Sequence, residues 1–209
     1  MIHPTFFDPR NTLNLFELDE KLKFISSLYS KQMLPKVLML SGNKGSGKST
    51  LINHFLHSIF DKENYNMKNF TQSSTSTFAK QFKNNIFPNI IYIKGADFRA
   101  IKVDDIRSLK EKILKSTISN NDRFIIFDDI ELFNQNSLNA LLKIIEEPSK
   151  KNYFFLINNK SKSLLETINS RALEIKIILS ENQRIKIIKN LVNSFKLNLD
   201  LDPITSQLT

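Results

Sequence analysis

Four short stretches of the chain are apolar without interruption, VLML (37–40), IIYI (90–93), FIIF (124–127) and YFFLI (153–157), and a fifth strand is read at LEIKI (173–177), which carries Glu174 and Lys176. Four or five consecutive apolar or β-favouring residues, bounded by polar turns, predict strands covered on both faces. Between them the period changes to that of a helix. From Ser49 to Phe60, residues Leu51, Ile52, Phe55, Leu56, Ile59 and Phe60 share one side. Val103 to Ser116 repeats the pattern with Val103, Ile106, Leu109, Ile113 and Leu114. A third helix carries Leu138, Leu141, Leu142 and Ile145, with Asn136 or Ser137 as its cap and Pro148 as its stop. Leu164 to Ile168 reads as a helical turn, and a last helix runs from Gln183 to Phe195 after Ser180. Asn120 to Asp122 is a turn, and the polar stretch from Asp61 to Asn85 reads as a loop-rich insertion without a clear period. Strands alternating with helices in this order predict an α/β fold: a parallel sheet with helices on both faces.

Composition narrows this further. A chain of 209 residues, 41% hydrophobic and 24% charged, suits one globular domain and the start of a second. No apolar run approaches the roughly 20 residues of a membrane span, and the N-terminus lacks the basic-then-apolar order of a secretory signal. With no cysteine there is neither a disulfide nor a thiolate metal site, and the expected location is cytoplasmic. Thirty basic and 21 acidic residues leave a net charge of +9, which suits a polyanionic partner.

The chemistry concentrates in one loop. The chain has four glycines, and three of them (Gly42, Gly45, Gly47) fall in GNKGSGKS, residues 42–49. This is the full G-x-x-x-x-G-K-[ST] pattern, placed between a predicted strand and a predicted helix. Triphosphate oxygens are wrapped by backbone N–H groups only where the chain turns tightly without obstructing side chains, and a helix N-terminus adds a favourable dipole. The expected ATP-binding set is Gly42, Asn43, Lys44, Gly45, Ser46, Gly47, Lys48, Ser49 and Thr50, with Lys48 on the β- and γ-phosphates and Ser49 on Mg²⁺. A second motif, FIIFDDIE (124–131), is an apolar strand ending in carboxylates. Ligands of open α/β sheets sit at the carboxyl ends of strands, so Asp128 is expected to face the loop and hold Mg²⁺ through water. Asp129 follows as the group that positions the attacking water.

Beyond Asp128 the sequence resembles the bacterial clamp-loader ATPases, the gamma and delta-prime subunits of DNA polymerase III. NALLKIIEEP (139–148) and LLETINSRA (164–172) carry the resemblance, with KVDDIRSL (102–109) and LPKVLMLSG (34–42) upstream. It covers about residues 15 to 195. It implies a P-loop AAA+ module over residues 1–178 and the beginning of a helical lid over 179–209, with the collar domain absent. Asn158 matches the first sensor position, and Arg171 matches an arginine finger that acts in trans on the ATP of a neighbouring subunit. Lys102, Arg107 and Lys143 lie on helices that line a DNA-facing channel in the family. The implied partners are the other subunits of a hetero-pentameric ring, the sliding clamp and primed DNA, with no membrane. The departures from the family pattern are Ala172 in place of Cys, an absent four-cysteine zinc module where residues 61–85 stand, and an early end of the chain. No zinc is expected, because His54 and His57 lack a third ligand and read as structural.

Many proteins of this architecture carry Glu at the position of Asp129. Asp is one methylene shorter, and a displacement of about 1 Å costs on the order of 10²-fold in rate. The resemblance therefore implies a delta-prime subunit that binds ATP, hydrolyses it weakly or not at all, and helps load the sliding clamp within a DNA-directed DNA polymerase holoenzyme. The alternatives are a gamma-type motor ATPase of the same complex, and a free-standing AAA+ ATPase.

Overall fold

The computed structural model describes residues 9, 12–95, 111, 113, 121–146, 148, 150–160, 164 and 166–196. Along the chain lie α1 (Asp19–Ser30), β1 (Val37–Ser41), α2 (Lys48–Phe60), α3 (Thr77–Lys83), β2 (Ile90–Lys94), β3 (Arg123–Asp128), a 3₁₀ turn (Ile130–Leu132), α4 (Gln135–Glu146), β4 (Asn152–Asn158), α5 (Glu166–Asn169), β5 (Leu173–Lys176) and α6 (Glu181–Ser194). The strands form one sheet in the order β2-β3-β4-β1-β5. Every pairing is parallel, with Ser41 beside Asn158 and Phe127 beside Leu156.

The two faces of the sheet carry separate cores, as the uninterrupted apolar strands require. Leu38, Leu40, Phe124, Ile126, Phe155 and Ile157 pack with α1, α2 and α3 through Leu22, Ile25, Phe55, Leu56 and Phe82. Val37, Met39, Ile125, Phe127, Phe154 and Leu156 pack with α4 and α5 through Leu138, Leu141, Ile145 and Ile168. Phe55, Phe124 and Phe155 meet at centroid distances of 5.5–5.8 Å. Each such fully buried ring contributes about 1.5–3 kcal/mol of transfer free energy.

All five predicted strands and the P-loop helix are present, and four local expectations change. First, α1 was not expected, although Leu18, Leu22 and Ile25 place a buried stripe along it at helical spacing. Second, the insertion is not wholly loop. It holds α3, capped by Ser76, whose hydroxyl accepts from the Ala79 N–H at 3.0 Å, and fastened by buried Phe78 and Phe82 at i and i+4. Third, the cap of α4 is Asn134 rather than Asn136 or Ser137: its Oδ1 accepts from the Ser137 N–H at 2.9 Å, and the helix starts at Gln135. Fourth, α6 begins at Glu181, because Ser180 and Gln183 form a capping box that fixes the start two residues before Gln183. The helix expected from Val103 to Ser116 lies outside the described residues except at Glu111 and Ile113.

The two histidines of α2 hold the insertion. Thr12 O and Tyr65 OH lie 3.2 and 3.0 Å from the ring nitrogens of His54. His57 packs edge-on against Phe78 and Phe82, with Nδ1 3.7 Å from Asp61 Oδ2. Burial lowers the pKa of His54 from 6.5 to about 3 and that of His57 from 6.5 to about 4, so both are neutral in the fold. The unfolded chain takes up these protons near pH 6.5 and the folded chain does not, so stability falls as pH drops from 6.5 towards 4. Denaturant titrations across that window are expected to show a declining midpoint in the native chain and a shallower decline in a His54→Gln, His57→Gln variant.

Candidate functional site

The carboxyl ends of β1, β4 and β3 are neighbours, and the glycine loop and the acidic residues after β3 meet there. The glycine loop leaves β1 after Ser41 and enters α2 at Lys48. Gly47 occupies the N-cap of α2 with φ +84°, in the left-handed region that side chains resist, and no side chain caps the helix there. A Cβ on Gly47 would also stand 2.8 Å from Leu18 Cδ1. The first turn contains no acidic residue, so the positive end of the helix dipole is not offset from within α2.

Lys48 is 2% exposed, and its ammonium turns back into the loop. It donates to Gly42 O at 2.8 Å, Asn43 O at 2.7 Å and Ser46 Oγ at 3.2 Å. Burial lowers its pKa to about 8, against the pull of Asp128, Glu131 and Asp129. The loop, the N-terminal segment and α6 enclose a cavity of about 200 Å³ lined by Thr12, Asn14, Phe16, Gly45–Thr50, Asn159, Ile187, Leu191 and Phe195. One end of this lining is polar and rich in backbone N–H groups, and the other is apolar.

Opposite the loop, β3 ends in Asp128. The Ser49 hydroxyl lies 3.5 Å from Asp128 Oδ2, which also accepts from the Tyr92 hydroxyl. Asp128 Oδ1 accepts from the Asp129 N–H at 2.9 Å. Burial raises the Asp128 pKa above the ordinary carboxylate value. Ser49 and Asp128 together offer a hydroxyl and a carboxylate, the oxygen donor set that suits Mg²⁺.

Asp129 adopts φ +53°, which swings its side chain out of the strand line towards β4. The fourth glycine, Gly95, secures this turn. Its N–H donates to Asp128 O at 2.7 Å, and a Cβ there would lie 2.2 Å from Asp129 O. Asn159 Nδ2 donates to Asp129 Oδ1 at 2.5 Å, and Asn159 N–H donates to Glu131 Oε2 at 3.1 Å.

The structure thus brings together Lys48, Ser49, Asp128 and Asp129. Asn158 stands beside Ser41 at the end of β4, and its carbonyl accepts from the Gly42 N–H at 3.2 Å. The Asn158 Oδ1 accepts from the Lys160 N–H at 2.8 Å, and it is the next residue, Asn159, that reaches the acidic pair. Alternation along β4 decides which of two adjacent asparagines faces the loop, and the strand end must be known to a single residue to choose. Tyr92 was not singled out from the sequence, because no pattern marks it, and Glu131 stood there only as the last carboxylate of the second motif, without a role.

Arg171 lies apart from this centre. Its guanidinium pairs with Glu146 at 2.8 Å and donates to Thr167 O at 2.8 Å, on an exposed surface. Lys143 is exposed on α4. Lys102 and Arg107 lie outside the described residues. Among the described residues no group of three or more His, Cys, Asp or Glu could hold a metal ion, and no helix is long and apolar enough to cross a membrane.

Comparison with known proteins places this geometry. A family model described as DNA polymerase III, delta subunit matches residues 18–198. The DNA polymerase III subunit gamma of Buchnera aphidicola (subsp. Acyrthosiphon pisum) is 29% identical over 168 residues, 78% of this chain and 44% of the relative. The DNA polymerase III subunit delta' of Buchnera aphidicola (subsp. Schizaphis graminum) is 42% identical over 69 residues, 33% of this chain and 21% of the relative. The chain spans less than half the length of these curated relatives. Among solved structures, a DNA polymerase III gamma subunit-related protein of Thermotoga maritima superposes with TM-score 0.56 at 19% identity, over 88% of this chain and 55% of that one. The Thermotoga maritima RuvB Holliday junction branch migration motor superposes with TM-score 0.54 at 16% identity, over 97% and 57%. The fold is therefore the expected P-loop AAA+ architecture.

Replacing Gly95 with Ala is expected to displace the Asp129 turn and lower stability by roughly 1–3 kcal/mol, the range for an inserted methyl in a packed site. Denaturant unfolding of Gly95→Ala beside the native chain measures it.

Proposed function

The chain belongs to the DNA polymerase III delta subunit family, and from that premise we propose that it is an ATP-binding subunit of the clamp loader, of delta-prime type. In this reading residues 1–178 are the AAA+ module and residues 179–209 begin the lid, with α6 as its first helix. The observation that carries the reading is the convergence of the glycine loop, Ser49 and Asp128 at the carboxyl ends of β1 and β3, on either side of β4.

The chain's own groups divide the work. Backbone N–H groups of residues 45–50 and the open N-terminus of α2 cradle the phosphates. Lys48 exchanges the carbonyls of Gly42 and Asn43 for phosphate oxygens, a stronger charge-assisted pairing. Ser49 and Asp128 are the residues that would hold Mg²⁺, which when bound neutralises charge on the β- and γ-phosphates. The apolar residues Ile187, Leu191 and Phe195 of the cavity wall cover the base.

Asp129 orients water only weakly in this reading. Its carboxylate is short and already engaged by Asn159, which supports a subunit that binds ATP and turns it over slowly. Arg171 serves the neighbouring subunit's ATP in trans, exchanging Glu146 for phosphate. Lys102, Arg107 and Lys143 contact the backbone of primed DNA, and the sliding clamp is the cargo of the assembled ring. One observation favours the gamma-type motor instead: relatives named subunit gamma match 78% and 86% of the chain.

Equilibrium binding and turnover separate the two. Lys48→Ala is expected to weaken ATP binding by roughly 10²-fold, from the loss of charge-assisted hydrogen bonds. Native turnover is expected to be negligible and to rise at least tenfold in Asp129→Glu. Fast turnover by the native chain would move the assignment to the motor subunit. In the reconstituted complex, Arg171→Ala is expected to suppress the ATPase of the adjoining subunit while leaving this chain's own ATP affinity intact.

A further inference from the structure

Asp128 is the carboxylate on which the cation site turns, and its orientation is not left to its own strand. Its terminal torsion is broad and nearly free by nature, so a carboxylate at a strand end presents either oxygen in many directions. Here both oxygens are taken. Oδ1 accepts from the Asp129 N–H at 2.9 Å, which fixes one edge of the group. Oδ2 accepts from the Tyr92 hydroxyl and lies 3.5 Å from Ser49 Oγ.

Tyr92 reaches Asp128 because of strand register. It stands opposite Ile126 in the β2–β3 pairing, two residues before Asp128. Side chains two apart on a strand share a face, so Tyr92, Ile126 and Asp128 project to the same side of the sheet, the side of α2. The Tyr92 ring packs against the core on that side, which anchors the phenol while its hydroxyl extends along the strand direction. A rigid ring seated in a core delivers a hydroxyl at low entropic cost, as a long flexible side chain would not.

We propose that Tyr92 is a positioning residue for the cation site: its hydroxyl fixes the Asp128 carboxylate so that Oδ2 faces Ser49 and receives the cation of a bound nucleotide. The proposal rests on the nucleotide-site reading above. The phenol holds one lone pair of Oδ2 and leaves the other directed at the Ser49 side.

The test is Tyr92→Phe in the full chain, which removes one oxygen and leaves the ring. Binding of a slowly hydrolysed ATP analogue is measured in EDTA and across a MgCl₂ titration, and unfolding temperatures are compared. The expected result is an EDTA affinity within about twofold of native and a MgCl₂ midpoint raised roughly tenfold, the scale of one hydrogen bond to a charged group. In an Asp128→Asn background, Tyr92→Phe is expected to add no further shift, which a general structural role would not produce. Tyr92→Met, which keeps bulk without the hydroxyl, is the second variant should the first unfold. An unchanged midpoint overturns the proposal. A lowered midpoint also overturns it, by making the phenol a competitor of the cation. Absence of Mg²⁺-dependent binding in the native chain overturns the nucleotide reading itself and this proposal with it, and is told apart by being seen without any substitution.

Discussion

The parallel pairing of β1, β4 and β3 is the constraint on which the site depends. Because these strands run the same way and lie side by side, their carboxyl ends deliver the glycine loop, the two asparagines 158 and 159, and the acidic pair 128 and 129 to one ledge. The residues concerned are as many as 117 positions apart in sequence, from Gly42 to Asn159. A reversed strand would carry its terminal group to the opposite edge of the sheet, and a shift in register of one residue would turn Asp128 to the other face. The apolar strands that build the double core thus also place the polar chemistry, through geometry alone.

Much of this was legible in the sequence, because the features that built it are local and redundant. Four of the five strands are built on uninterrupted apolar runs, and the loop is a complete motif in its required context. Where the sequence misled, the deciding contact was distant or balanced on one residue. The helix α3 stands in a stretch of Asn, Ser, Thr and Lys that has weak intrinsic order, and it exists because Phe78 and Phe82 find His57 and Phe60 on α2. The α4 cap moved to Asn134 because three neighbouring polar residues can each cap a helix, and local pattern does not rank them. Which of Asn158 and Asn159 reaches Asp129 with its side chain depends on where β4 ends. Tyr92 is indistinguishable from an ordinary strand tyrosine until β2 is set beside β3.

Glycine placement joins the two levels. Gly47 lets the loop turn into α2 against Leu18, and Gly95 lets β2 run close under the Asp129 turn. The four glycines of a glycine-poor chain thus belong to the ledge or to its immediate support, which is why so few suffice. Three glycines that lack room for a side chain press separate pieces of chain together: Gly42 against Ile177 after β5, Gly47 against the segment before α1, and Gly95 against the turn after β3.

The buried ammonium of Lys48 has a consequence of a different kind. Held by two carbonyls and a hydroxyl of its own loop, it acts as an internal template, a former around which the backbone is cast before any guest arrives. The loop's conformational entropy is then surrendered during folding, and under the proposed nucleotide reading a phosphate would find a shaped mould instead of a mobile ribbon. Arrival becomes a substitution of one set of oxygens for another about a cation already in place.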